Sequence, residues 1–195
     1  MIHIIGDSHA LTFQNAKNVE VHWMGAATAF NLWKKNKVVS QIFRDNNSDS
    51  NRFFFCLGEI DCRIHVYNYS MLTGVPEYVI INNTVASYTN YLFTLRNKAD
   101  IAILAVPPQG FEENVYGYPY YASREHRQEI TDDFNMKLES EAHRIGVKFV
   151  DIWYEKPDFR RSLWKYSYFK DDLCHIRNEI VEELVEKYKR RKNVG

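Results

Sequence analysis

Short apolar runs alternate along this chain with longer stretches of helical periodicity. Five runs read as strands: His3–Ile5, Val19–Trp23, Arg52–Leu57, Ile101–Val106 and Val147–Ile152. The fourth, IAILAV, is apolar throughout and is stopped by Pro107-Pro108. Such a run is expected where helices cover both faces of a sheet. From Ser123, the apolar positions Ile130, Phe134, Leu138, Ala142 and Ile145 recur at a spacing near four, and Gly146 sits where a helix would stop. Pro76–Asn97 predicts another helix. Ile176, Ile180, Leu184 and Tyr188, with Val181 and Val185 beside them, predict a last one. This alternation implies an α/β chain folded as a three-layer α/β/α sandwich with a mostly parallel sheet. The polar stretch Arg44–Arg52 is too short to divide domains, so residues 1–195 read as a single domain.

Right-handed crossovers gather the loops that follow the strands along one edge, where such folds bind ligands. Gly6-Asp7-Ser8-His9 follows the first strand. A serine at a strand-to-helix turn suits a nucleophile whose attack creates an oxyanion, although alone it reads more readily as a helix cap. After the second strand, Gly25 allows a positive φ and a backbone N–H turned into a site, or an ordinary turn. The third strand runs into the polar block Gly58-Glu59-Ile60-Asp61-Cys62-Arg63-Ile64-His65. Asp171-Asp172-Leu173-Cys174-His175 precedes the last helix. A carboxylate three residues before a histidine can orient its ring, leaving the far nitrogen to take a proton from a serine. Alone, that pair also reads as a cap.

Together the four blocks resemble the SGNH hydrolases, or GDSL-like esterases. The likeness spans Gly6 to His175 and rests on Gly6-Asp7-Ser8, Gly25, Gly58 with Asp61, and Asp172 with His175. It implies a flavodoxin-like five-stranded sheet of order 2-1-3-4-5. It also implies a triad in which Ser8 attacks, His175 is the general base and acid, and Asp172 orients His175. The N–H groups of Ser8 and Gly25 would hold the oxyanion, no metal or cofactor would be needed, and substrates would be esters. One position departs from the pattern. The family's third block carries an asparagine as a further oxyanion donor, and here Ile60 stands there. Losing one such donor costs on the order of 10²–10³ in kcat. Arg63, three residues on and always charged, is the candidate replacement. The GEIDCR string with its following histidine also looks like a variant block of SGNH-like proteins associated with glycan modification. Asp7, Glu59, Asp61 and His65 are candidates for the substrate side; the alternatives are that Asp7 caps the following helix and that Glu59, Asp61, Arg63 and His65 brace the loop. Tyr118 and Tyr120 lie in the aromatic stretch Tyr116–Tyr121 of a long loop and offer flat faces with polar tips, suited to a sugar or to packing. Trp164–Phe169 is a second aromatic cluster just before Asp172.

Charge narrows the partners. The chain has 25 Lys+Arg and 25 Asp+Glu, a formal net charge of zero. That disfavours nucleic acid and anionic membranes. The basic run Lys187–Lys192 reads as a solvated helix end. No 18-residue apolar run or leader pattern occurs, and three cysteines form no CxxC pair, so a soluble cytoplasmic protein is expected. Cys56 and Cys62 read as buried small residues, and a Cys174–His175 dyad is not expected. Asp7, His3, His9 and His22 lack a recognisable ligand spacing, so no metal is expected. The resulting expectation is a serine esterase removing O-acetyl groups from a carbohydrate. Transfer to a glycan hydroxyl by the same triad, or glycan binding without catalysis, remain the alternatives. The partner would be a small-molecule or glycan ester. Oligomeric state is not readable.

Overall fold

A computed structural model describes residues 1–46, 48–111, 117–153 and 166–192. Five parallel strands form one sheet in the order β2-β1-β3-β4-β5: β1 Ile2–Gly6, β2 Val19–Trp23, β3 Arg52–Cys56, β4 Asp100–Leu104 and β5 Lys148–Val150. The expected sandwich and strand order are both present. Five α-helices accompany the sheet: α1 Asn36–Asp45, α2 Val66–Thr73, α3 Glu77–Leu95, α4 Arg124–Arg144 and α5 Asn178–Lys192. A six-residue 3-10 turn, Ser8–Phe13, follows β1.

The alternation of side chains along each strand supplies both cores. Ile5, Phe53, Phe55, Ile101 and Ile103 pack with Val39 of α1, Val85 and Leu92 of α3, and Phe134 and Leu138 of α4. Ile4, Phe54, Ala102, Leu104 and Val150 pack on the other face with Phe13 of the 3-10 turn and Val181 and Val185 of α5. The central strands β3 and β4 are therefore apolar on both sides over their buried length, which is why RFFFC and DIAIL read as continuous runs.

Three strands end earlier than their apolar runs. Leu57, Ala105, Val106 and Ile152 leave the ladder yet stay buried. Other partners satisfy the backbone there. Val106 exchanges two hydrogen bonds with the Asn135 side chain, at 2.8 and 3.0 Å. Burial, not strand pairing, sets the apolar pattern at these positions. The helix expected beyond the strand-to-helix turn at Ser8 is only this short 3-10 turn. α4 begins where expected, with Ser123 Oγ accepting from the His126 amide at 3.2 Å, and Gly146 beyond it has φ +70°. α5 begins two residues after Ile176, because Ile176 bridges to Phe169 instead. The polar block continues as one π-helical turn, Asp61–His65, into α2. No helix among the described residues is long and apolar enough to cross a membrane. Tyr116, Trp164 and the side chains of 187–192 lie outside the described residues.

Candidate active site

Ser8 owes its position to Gly6. A Cβ on Gly6 would stand 2.1 Å from the Cys56 carbonyl oxygen, so only glycine lets β1 and β3 meet this closely at their ends. Asp7 caps the following turn, its Oδ1 accepting from the His9 amide at 2.8 Å. The capping reading of Asp7 is thus correct, and it leaves Ser8 as the first residue of the turn.

Ser8 Oγ lies 2.8 Å from His175 Nε2, and His175 Nδ1 lies 2.7 Å from Asp172 Oδ2. Asp172 Oδ1 also accepts from the Cys174 and His175 amides, each at 2.9 Å. One oxygen thus closes the turn that presents the histidine, while the other fixes its ring. Burial would raise the Asp172 carboxyl, but these hydrogen bonds and the adjacent ring hold it below the usual carboxylate value.

The loop bearing Asp172 is held from behind. The Phe111 amide donates to the Leu173 carbonyl at 2.8 Å, and a Cβ on Gly110 would fall 2.1 Å from that same oxygen. Arg127 of α4, almost wholly buried, donates to the Gly110 carbonyl at 3.0 Å. A chain of contacts thus runs from α4 through Gly110 to the His175 turn. Sequence reading missed Gly110 and Arg127, whose signal is faint: a glycine three residues past Pro107 and an arginine on an otherwise amphipathic helix.

His9 was read only as a rejected metal ligand. Its ring is buried, with Nδ1 3.4 Å from Asp7 Oδ1 and 3.5 Å from Glu59 Oε2. Burial opposes its charge, but Glu59 and Asp7 outweigh burial and raise it well above the ordinary imidazole value. Burial depresses His175, the positive His9 beside it adds to this, and Asp172 offsets part. The Cys174 thiol reaches His9 Nε2 at 3.8 Å rather than forming a dyad with its neighbour. Ligand atoms of His9, Cys174 and His175 lie within 4.8 Å of one another. A protonated His9 is a poor metal ligand, and His175 is already engaged by Ser8 and Asp172.

The polar block divides. Glu59 is buried and forms an ion pair with Arg63, its Oε1 2.8 Å from Arg63 Nε, while its other oxygen faces His9. Asp61 is buried and accepts from the Ala29 amide at 2.7 Å, and also from Phe30. Burial pushes its carboxyl up to about 7. Asp61 therefore ties this block to the loop that starts at Gly25. Gly25 itself has φ +71° with open space where a Cβ would be, and the preceding Met24 amide donates to the Gly6 carbonyl at 2.8 Å. The His65 ring meets Tyr118 edge-on at 5.8 Å, and Tyr118 and Tyr120 are both exposed. Beside His65 opens a cavity of about 600 Å³, lined among others by Thr28, Phe30, Asp61, Asn68 and Tyr69.

No family model and no curated protein matches the chain in sequence. Solved structures do match in fold. A putative acylhydrolase from Bacteroides fragilis superposes with a TM-score of 0.65 at 11% identity, over 98% of this chain and 86% of that one. The acetyl xylan esterase AlAXEase gives 0.58 at 11% identity, over 96% and 99%. An acetylxylan esterase from Geobacillus stearothermophilus gives 0.58 at 14% identity, over 95% and 92%. These likenesses extend over nearly the whole of each chain, and the fold of this protein is the one that these esterases and the acylhydrolase share.

Proposed function

We propose that this protein is a serine esterase that removes O-acetyl groups from a carbohydrate. The observation that carries the reading is the relay from Ser8 Oγ to His175 Nε2 at 2.8 Å and from His175 Nδ1 to Asp172 at 2.7 Å. Two close hydrogen bonds in this order let a neutral imidazole take the serine proton while a carboxylate fixes its tautomer. The fold neighbours support the substrate class, since two are named acetyl xylan esterases. Variants of the Geobacillus esterase described as catalytic mutants replace a serine, an aspartate and a histidine, the last two three positions apart, as Asp172 and His175 are here.

His175 Nε2 accepts the proton as Ser8 Oγ attacks the acetyl carbonyl. The tetrahedral oxyanion is held by the N–H groups of Ser8 and Gly25. Collapse returns the proton from His175 to the departing sugar hydroxyl and leaves an acetyl-serine. Water, deprotonated by the same nitrogen, attacks the acetyl carbonyl; the bond to Ser8 Oγ then breaks, the oxygen takes the proton back from His175, and acetate leaves. Arg63 takes the role of the missing third-block donor, anchored from behind by Glu59. Asp7 and Glu59 act through His9, and Asp61 through the Gly25 loop. Substrate contact falls to His65, Tyr118 and Tyr120, beside the cavity.

The test is acetate release from acetylated xylo-oligosaccharides and from a chromogenic acetate, with Ser8→Ala beside the wild type. Loss of roughly 10⁴-fold or more in kcat is expected, since removing a nucleophile leaves only background catalysis. A Ser8→Ala variant as active as the wild type would overturn the assignment. Adding a glycan acceptor and finding acetylated product in place of acetate would make the enzyme a transferase.

A further inference from the structure

Away from Ser8, one face of the sheet edge carries three ligand-type side chains. The parallel register sets His3 opposite Glu20 and Ile5 opposite His22. His3, Glu20 and His22 therefore point to the same side of β1 and β2. His3 Nδ1 lies 3.0 Å from His22 Nε2 and 3.5 Å from Glu20 Oε2, and His22 Nε2 lies 3.9 Å from Glu20 Oε1. The two rings stack at 5.3 Å with 19° between their planes, and Phe53 backs His3 at 4.9 Å. The three donor atoms converge within 4.8 Å.

We infer that His3, Glu20 and His22 form a binding site for a divalent transition metal of the Zn²⁺ class. Zinc bound at about 2.0–2.1 Å by nitrogen and 2.0–2.2 Å by oxygen in tetrahedral geometry separates its ligand atoms by roughly 3.3 Å. The spacings found, 3.0 Å between the rings and 3.5 and 3.9 Å from them to the two oxygens of Glu20, lie near that value, and the half-exposed Glu20 side chain can turn one oxygen inward. Two imidazoles and a carboxylate are a zinc-type donor set. The 3.0 Å contact between the rings needs one nitrogen to accept, so at least one imidazole is neutral with a lone pair turned into the site. Metal entry needs each ring to carry its proton on the outer nitrogen. The N–H then lying between the rings moves outward. His3 is buried behind the site and His22 mostly so, while Glu20 is half exposed. The open fourth position thus faces solvent and would hold water. The bound ion would fasten the edge strand β2 to β1.

Such a set is hidden from linear motif reading. The sequence separation between His3 and Glu20 has no meaning until the parallel register places them side by side.

The test is calorimetric titration of the chelator-treated protein with Zn²⁺, thermal melting with and without Zn²⁺, and visible spectra with Co²⁺. Wild type should bind one equivalent, melt at a higher temperature with Zn²⁺, and give the visible bands of four-coordinate Co²⁺. Glu20→Gln should weaken binding at least ~10-fold and His22→Gln ~100-fold or more, as loss of a ligand should exceed the 10–100-fold cost of losing a ligand's supporting partner. Cys174→Ser, which alters the other cluster of possible ligands, should bind as wild type does. No saturable binding to wild type, unchanged binding in folded His22→Gln or Glu20→Gln, or loss of binding in Cys174→Ser would each overturn the inference. Glu20 is half exposed, so its variant keeps the test open should His22→Gln fail to fold.

Discussion

The imidazole rings of His9 and His175 face each other at 4.4 Å between centroids, tilted by 31°. His9 carries its charge well above the ordinary imidazole pH because Glu59 and Asp7 sit against it, overcoming its burial. A cation so placed opposes protonation of His175, which burial already disfavours. His175 is thereby kept neutral, the form that can accept the serine proton, to more acidic pH than a free histidine.

Replacing His9 by Gln should move the acid limb of the kcat/KM profile to higher pH. It removes a cation and leaves Glu59 facing His175, and both changes raise the base. A limb that stays in place, measured on folded protein, would show that His9 does not set it. Stability should report the same charge. The raised value of His9 contributes fully below the unfolded value of about 6.5 and is lost as pH rises through the folded value. Wild type should therefore lose unfolding free energy at alkaline pH where His9→Gln does not.

Asp172→Asn keeps the shape of the turn but lets the wrong His175 tautomer form. In a triad this costs about 10⁴ in kcat. Chromogenic acetate assays should show that loss on folded protein, with a modestly lower melting temperature at neutral pH because the paired carboxylate is gone. The lowered value of Asp172 stabilises the fold above the ordinary carboxylate range and is lost as pH falls through its folded value. The acid destabilisation of wild type should accordingly be shallower in Asp172→Asn.

Gly110→Ala tests the support behind Asp172 and His175. Its Cβ would meet the Leu173 carbonyl at 2.1 Å, a backbone clash that no rotamer relieves. The turn bearing His175 must shift, and a displacement near 1 Å costs about 10²-fold in rate. Activity should fall far more than thermal stability. Equal kcat in Gly110→Ala would show that the turn is positioned by other contacts.

Asp61 is pushed up to about 7 by burial. The folded state therefore binds this proton more tightly than the unfolded chain, and stability falls as pH rises from about 4 to about 7. Asp61→Asn retains a carbonyl for the Ala29 amide and cannot ionise. Denaturant titrations from pH 4 to pH 8 should show a flatter dependence for the variant than for wild type.

Arg63→Ala separates two roles. If the guanidinium supplies the donor that Ile60 lacks, kcat should fall by roughly 10²–10³ with KM little changed. A change confined to KM would assign Arg63 to substrate binding. A fall in stability without either would leave it only as the partner of Glu59.

The sequence by itself determined the layers. Apolar runs such as FFF and IAIL must be covered on both faces, because a strand alternates its side chains and both sets were apolar. Helix α4 was legible from its start at Ser123 to its stop at Gly146, since the signals at both ends are local. The blocks holding Ser8, Asp172 and His175 were visible as motifs, because each turn is built from neighbours along the chain. Tertiary structure alone decided what lies beside them. His9 reads as any histidine until Glu59, from a different strand end, comes within 3.5 Å of it. Gly110 and Arg127 matter only because α4 packs behind the Asp172 turn. His3 and Glu20 become neighbours through the register of β1 and β2. Charge and coordination depend on distances of a few ångströms between residues far apart in sequence, and only packing of the whole chain sets those distances.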